Sequence, residues 1–223
     1  MPRSLRKFKE ANARLSKELC SIPGCTRNRL GVNQYCNAHS IKSIRYGHPQ
    51  GHTIPRAEYQ KELNEVLEMF QGHKDHPGLV SVLRWIDDWI EVASNGEAPA
   101  GNYIFGRIHV KRIQGRDISA LDILAEVAAV WVYAQRFPQS LPDDNRLTYA
   151  LARNVARLAT FEKAKYGITK TKSTKYPTAL ELRGVGERIR QTLALFLINV
   201  VKSLEAKAEK AKDFRTSLSI PFE

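Results

Sequence analysis

All three cysteines of the chain lie in one short run, C-S-I-P-G-C-T-R-N-R-L-G-V-N-Q-Y-C-N-A-H, from Cys20 to His39. The spacing is C-x4-C, a ten-residue loop, then C-x2-H. Two ligand pairs divided by a short basic loop form the pattern of a structural zinc site. Three thiolates and one imidazole close a tetrahedral shell and leave no position for water or substrate. Pro23 and Gly24 permit the tight turn that brings Cys20 and Cys25 to one ion. Gly31 sits where the intervening loop must reverse. Cys36 and His39, three apart, share a face of a helix's first turn. A knuckle pair followed by a helix-start pair predicts a treble-clef-like module. Its ligands are Cys20, Cys25, Cys36 and His39, with His48 as the reserve for the fourth place. A disulfide is the weaker alternative, because three cysteines cannot all pair and a Cys20–Cys25 bridge would close only a small loop.

The runs C-S-I-P-G-C-T-R-N-R, Y-C-N-A-H and R-Y-G-H-P resemble the small zinc module of bacteriophage and prophage proteins. That module has C-x4-C, a basic loop, C-x2-H and a basic helix ending in a G-[DH]-P turn. It often precedes an HNH endonuclease domain, and elsewhere it fronts helical proteins. The resemblance covers residues 18–51. It implies a phage or mobile-element origin, a bacterial host cytoplasm and a nucleic-acid role. It also implies the four ligands above and basic contact positions at Arg27, Arg29, Lys42 and Arg45.

Charge points the same way. The net charge is +12, unevenly spread. Residues 1–19 carry six basic and two acidic side chains, and residues 20–52 carry four basic side chains and no acid. Residues 53–100 reverse the sign, with four basic against nine acidic. The loop 163–176 returns to five lysines, two tyrosines and no acid. A basic surface that coincides with a metal module predicts a polyanion partner, with DNA favoured over RNA. Lys170, Lys172 and Lys175 are the additional candidate phosphate contacts. A host or phage protein partner is the rival expectation, and the helical body leaves oligomerisation open. No apolar run reaches the ~18–20 residues of a membrane span. Cysteines used as metal ligands fit a reducing cytosol.

Beyond the module the pattern is helical. The N-terminal residues 1–19 predict a short basic helix near the module, and Ile41 and Ile44 are expected to fill the module's small core. The expected organisation is 1–52 for the arm and zinc module and 53–223 for a helical domain. Thr53 and Pro55 open a helix bearing Tyr59, Leu63, Val66, Leu67 and Phe70, which Gly72 ends. A second helix runs from Pro77 to Asn95, and the short connection predicts that the two are antiparallel neighbours. Residues 97–118 resist assignment but interleave aromatics with Arg107, His109, Lys111, Arg112 and Arg116. Ser119 with Asp122 forms a capping box for a helix to Arg136, with Leu121, Leu124, Ala128, Trp131 and Val132 on one face. Asp143 and Asp144 start another helix, on which Arg153 and Arg157 are expected to share an exposed face. After Pro177, Leu182, Val185, Ile189, Leu193, Leu197, Val200 and Leu204 mark a long final helix. The fold class is mainly α, with a small N-terminal zinc module.

Catalytic patterns are weak. Asp75-His76, Asn95 and His109 stand in the order of an HNH site, but the residues between His76 and Asn95 read as helix, whereas that chemistry needs a strand to present its base. No P-loop, Rossmann, HExxH or Ser-His-Asp pattern is present. The sequence therefore favours a non-enzymatic zinc-finger protein, with a metal-dependent nuclease as the lesser alternative.

Overall fold

The computed structural model describes residues 3–95, 118–158 and 179–218. The chain divides into two compact units, Met1–Thr53 and Ile54–Glu223. The described elements are helical, apart from one isolated antiparallel bridge between Leu19 and Asn28.

The first unit contains α1 (Arg3–Leu15) and α2 (Asn37–Tyr46), joined by the cysteine-bearing loop. Glu18, Leu19 and Cys20 run antiparallel to Arg27, Asn28 and Arg29. The Cys20 N–H donates to Arg27 O at 2.9 Å, and the Arg29 N–H donates to Glu18 O at 2.8 Å. Gly24 (φ 77°) and Gly31 (φ 59°) occupy left-handed backbone at the two reversals, where a Cβ is strained. Asn12 on α1 accepts from the Val32 N–H at 3.0 Å and lies against Gly31, which fastens α1 to the second reversal. Gly47 (φ 71°) ends α2 in the left-handed C-cap conformation.

The second unit is a helical bundle around one central helix. A 3-10 turn, Arg56–Glu58, leads into α3 (Gln60–Gly72), followed by α4 (Pro77–Asn95). Then come α5 (Ala120–Arg136), α6 (Asp144–Leu158) and α7 (Ala179–Leu218). The capping box at α5 is formed as the sequence predicts. Ser119 Oγ accepts from the Asp122 N–H at 3.1 Å, and Asp122 Oδ2 accepts from the Ser119 N–H at 3.1 Å.

Three expectations change here. First, α5 has no single apolar face: every residue from Ile123 to Ala134 is buried, because α3, α4, α6 and α7 all pack on it. Second, α3 and α4 are not each other's principal neighbours. Each lays its stripe on α5 instead, since the larger apolar surface is there. Third, Arg153 and Arg157 are half-buried rather than on an exposed face. The Arg157 guanidinium donates to Ile54 O at 2.8 Å and to Asn154 Oδ1 at 3.0 Å, which ties the start of the body to α6.

The α6–α7 contact is close because Gly186 lies directly under the Thr148 carbonyl, where a Cβ would collide. This explains Gly186, which belongs to no phosphate loop. The 40-residue α7 spans about 60 Å. Its burial ends at Leu204, and residues 205–211 are exposed. No described helix is long and apolar enough to cross a membrane. The unassigned stretch 97–117 and the lysine loop 163–176, with Lys170, Lys172 and Lys175, lie outside the described residues.

Candidate metal centre

The knuckle turn and the start of α2 converge on one point. Cys20 leaves the antiparallel segment and Cys25 follows the Pro23-Gly24 turn, which the Cys25 N–H closes on Ile22 O at 3.0 Å. Cys36 is the N-cap of α2 and His39 lies in its first turn. The four ligand atoms all lie within 4.8 Å of one another. Cys20 Sγ is 3.3 Å from His39 Nδ1, Cys36 Sγ is 3.5 Å from the same nitrogen, and Cys25 Sγ is 3.9 Å from Cys36 Sγ.

Those edges can be compared with the chemistry of the donor set. Zinc–sulfur bonds of about 2.3 Å and zinc–nitrogen bonds of about 2.0 Å in a tetrahedron give S–S edges of about 3.8 Å and S–N edges of about 3.5 Å. The observed separations match both. A disulfide needs about 2.05 Å between sulfurs, so the Cys25–Cys36 approach is no bond, and all three cysteines are free. Cys20 and Cys36 are buried, while Cys25 and His39 are half-buried. Among the described residues, this is the one group of metal-ligating side chains close enough to hold an ion.

The electrostatics suit thiolate. Burial acts to raise Cys20, but backbone N–H groups of Cys36 and Ile22 and the side chains of His39 and Cys25 bring it down to about 6. The Arg27 backbone N–H lowers Cys25, yet desolvation and the neighbouring Cys20 and Cys36 sulfurs together raise it. Crowded sulfurs that oppose each other's ionisation call for a cation between them.

His48 stands outside the cluster. Its Nδ1 accepts from the Gln50 N–H at 3.1 Å, which closes the turn after α2. His39 is the fourth donor of the group. Ile41 and Ile44 do not fill a module core: they are 40% and 57% exposed. The inward face of α2 is set by Cys36, His39 and Ser40, and Ser40 is held by Asn33 Nδ2 at 2.8 Å. Ile41 lies about 100° around the helix from Ser40. Ile44 lies a turn beyond Ser40 and is left exposed.

The basic candidates separate into two kinds. Arg29 is half-buried and committed inside the module, with Glu18 at 3.0 Å, Leu19 O at 3.0 Å and Ser21 Oγ at 3.3 Å. Arg27, Lys42 and Arg45 are exposed, and among the described residues none of them has an acidic partner.

A second polar cluster, in the body, escaped sequence reasoning. Glu126 on α5 is 3% exposed, accepts from the Tyr59 hydroxyl and faces Arg56 at 3.9 Å. Glu62 is equally buried and meets Arg136 at 3.1 Å, while Arg136 also reaches Glu65 at 2.6 Å. Desolvation and the Glu126 hydrogen bond push the Tyr59 hydroxyl well above its ordinary value. Burial would lower Arg136, but Glu65 and Glu62 hold it above its usual range. The signal was present: Glu126 is the single charge between Asp122 and Arg136 in a helix that is otherwise apolar. The cluster contains no Cys or His and joins helices rather than forming a site.

Among the described residues, His76 and Asn95 of the nuclease arrangement are not brought together. His76 sits just before α4, where its Nδ1 accepts from the Gly78 N–H at 3.1 Å, and Asn95 is the last residue of the same helix. The two ends are about 27 Å apart along the helix axis. His109 lies outside the described residues. Comparison with known proteins finds no matching family model, no matching curated protein and no matching solved structure.

Proposed function

We propose that this chain is a zinc-finger nucleic-acid-binding protein of phage or mobile-element type, acting in a bacterial cytoplasm without catalysis of its own. Cys20, Cys25, Cys36 and His39 hold one Zn2+ in a closed shell, which leaves the ion a structural role. The ion folds the module, and Arg27, Lys42 and Arg45 meet the phosphate backbone of DNA, with Arg29 bracing the loop from within. Lys170, Lys172 and Lys175 are further candidate phosphate contacts by their charge alone. The observation that carries most weight is the coincidence of a four-donor metal cluster with exposed, acid-free cations on the same 53-residue unit.

Equilibrium binding to labelled duplex and single-stranded oligonucleotides over a salt series tests the proposal. Affinity should fall steeply with salt and vanish on chelation. Undetectable or salt-independent binding at low salt contradicts it.

An adaptor for a host or virion protein is the second reading. One observation favours it: Leu5, Phe8, Leu19, Leu30, Val32, Ile41 and Ile44, all in the module, are exposed. Capture from host lysate that survives nuclease treatment would support the adaptor over the DNA-binding role.

A further inference from the structure

Beside the metal centre lies an open cleft of about 500 Å³ between the knuckle turn and the first turns of α2. Its size falls within the range of about 300–1,000 Å³ typical of ligand sites. One wall is Pro23 to Arg27 and the other is Ala38, His39 and Lys42, with Gln50 at the end. No acidic residue lines it.

We propose that this cleft seats a phosphodiester group of the nucleic-acid backbone, held between Arg27 and Lys42. The proposed site depends on the nucleic-acid-binding function above and makes it specific.

Four features of the cleft support this. Arg27 leaves from backbone fixed by the Cys20 N–H, and Lys42 from a helix that begins at two of the four donors, so both side chains start from ordered backbone at the cleft. Neither has an acidic partner among the described residues, in contrast to Arg29 next door. His39 turns Nδ1 toward the sulfurs at 3.3 and 3.5 Å. With the ion bound at Nδ1, Nε2–H is the donor left to the ring, on a residue that lines the cleft. Thr26 and Gln50 add neutral donors. A divalent ion with three thiolates leaves a single negative charge nearby, which the two cations outweigh.

The test uses full-length, zinc-loaded protein and a fluorescent DNA duplex, with anisotropy read between about 50 and 200 mM salt. Arg27→Ala/Lys42→Ala should weaken low-salt binding about tenfold or more. It should also lower the log–log salt slope by about 1.8, two contacts at about 0.9 each. Zinc content and circular dichroism confirm that the variant is folded, and Arg27→Gln/Lys42→Gln replaces it if it is not.

Wild-type affinity and slope in the folded double variant overturn the cleft while leaving DNA binding intact. Failure of the wild type to bind duplex or single strand removes both. Binding of inorganic phosphate or phosphatidylserine vesicles through Arg27 and Lys42, without DNA binding, assigns the cleft to another phosphate source and overturns the proposal. In unsubstituted protein, the His39 Nε2 resonance should move on adding duplex, and a resonance that stays fixed contradicts the site.

Discussion

The two units of this chain are held together by different physics. In the helical body, burial does the work: among the described residues, every buried residue of the hydrophobic core except Cys20 and Cys36 belongs to it. The module has no such core. Among the described residues, seven of the twelve large exposed hydrophobics lie in its first 44 residues, and its buried core residues are two cysteines of the candidate metal centre. A unit of this size that buries so little apolar surface needs another source of stability. The contrast teaches that apolar burial accounts for one unit of this chain, while the other is gathered around a Cys/His cluster instead.

Removing the ion should produce the largest effect. Structural zinc binding is worth about 10–16 kcal/mol in small metal-folded peptides. Chelation, or Cys36→Ser, is therefore expected to unfold the module while α3 to α7 persist. Amide hydrogen exchange would show loss of protection confined to residues before 54. Simultaneous loss across the body would erase the contrast.

The mirror experiment weakens the body alone. Leu124→Ala or Leu197→Ala deletes a side chain with 0% exposure and should cost about 2–5 kcal/mol in thermal or denaturant unfolding. Zinc content should remain one per chain.

A smaller effect tests the buried polar cluster. Tyr59→Phe leaves the Glu126 carboxylate without its hydroxyl donor, at about 1–3 kcal/mol. The pH dependence follows from the direction of the shift. Tyr59 is raised in the fold, so its contribution is complete below the unfolded value of about 10 and is lost as pH rises above it. Denaturant unfolding at alkaline pH should show the wild type losing stability faster than Tyr59→Phe.

The smallest effect sharpens the module side. Gly31→Ala places a Cβ in left-handed backbone against Asn12. It should cost about 1 kcal/mol, read as a several-fold loss of zinc affinity with no change in the melting of the body.

Local chemistry in this chain was legible from sequence, and long-range packing was not. The Cys/His spacing located the four donors, since the donors of each pair lie close in sequence. Ser119 with Asp122 announced the start of α5 for the same reason. The partners of a helix are another matter. Nothing within residues 60–95 says that α3 and α4 both seek α5, because that depends on how apolar a helix two segments later is. Ile41 and Ile44 misled, since apolar residues beside a Cys/His cluster look like core, yet Cys20, Cys25, Cys36 and His39 already take the centre. Arg157 looked like surface because its acceptor, Ile54 O, is 103 residues away. Glu126 is a lone charge in an apolar stretch that the sequence reading passed over, and its partner Tyr59 is found only in the fold.

The central claim is that three sulfurs and one imidazole nitrogen hold a single zinc ion. Zinc K-edge absorption on the purified chain, with metal content measured on the same sample, tests it most directly. One zinc per chain, with three sulfurs at about 2.3 Å and one nitrogen at about 2.0–2.1 Å, is the expected result. A substoichiometric ion, or a first shell made of oxygen and nitrogen alone, would contradict it.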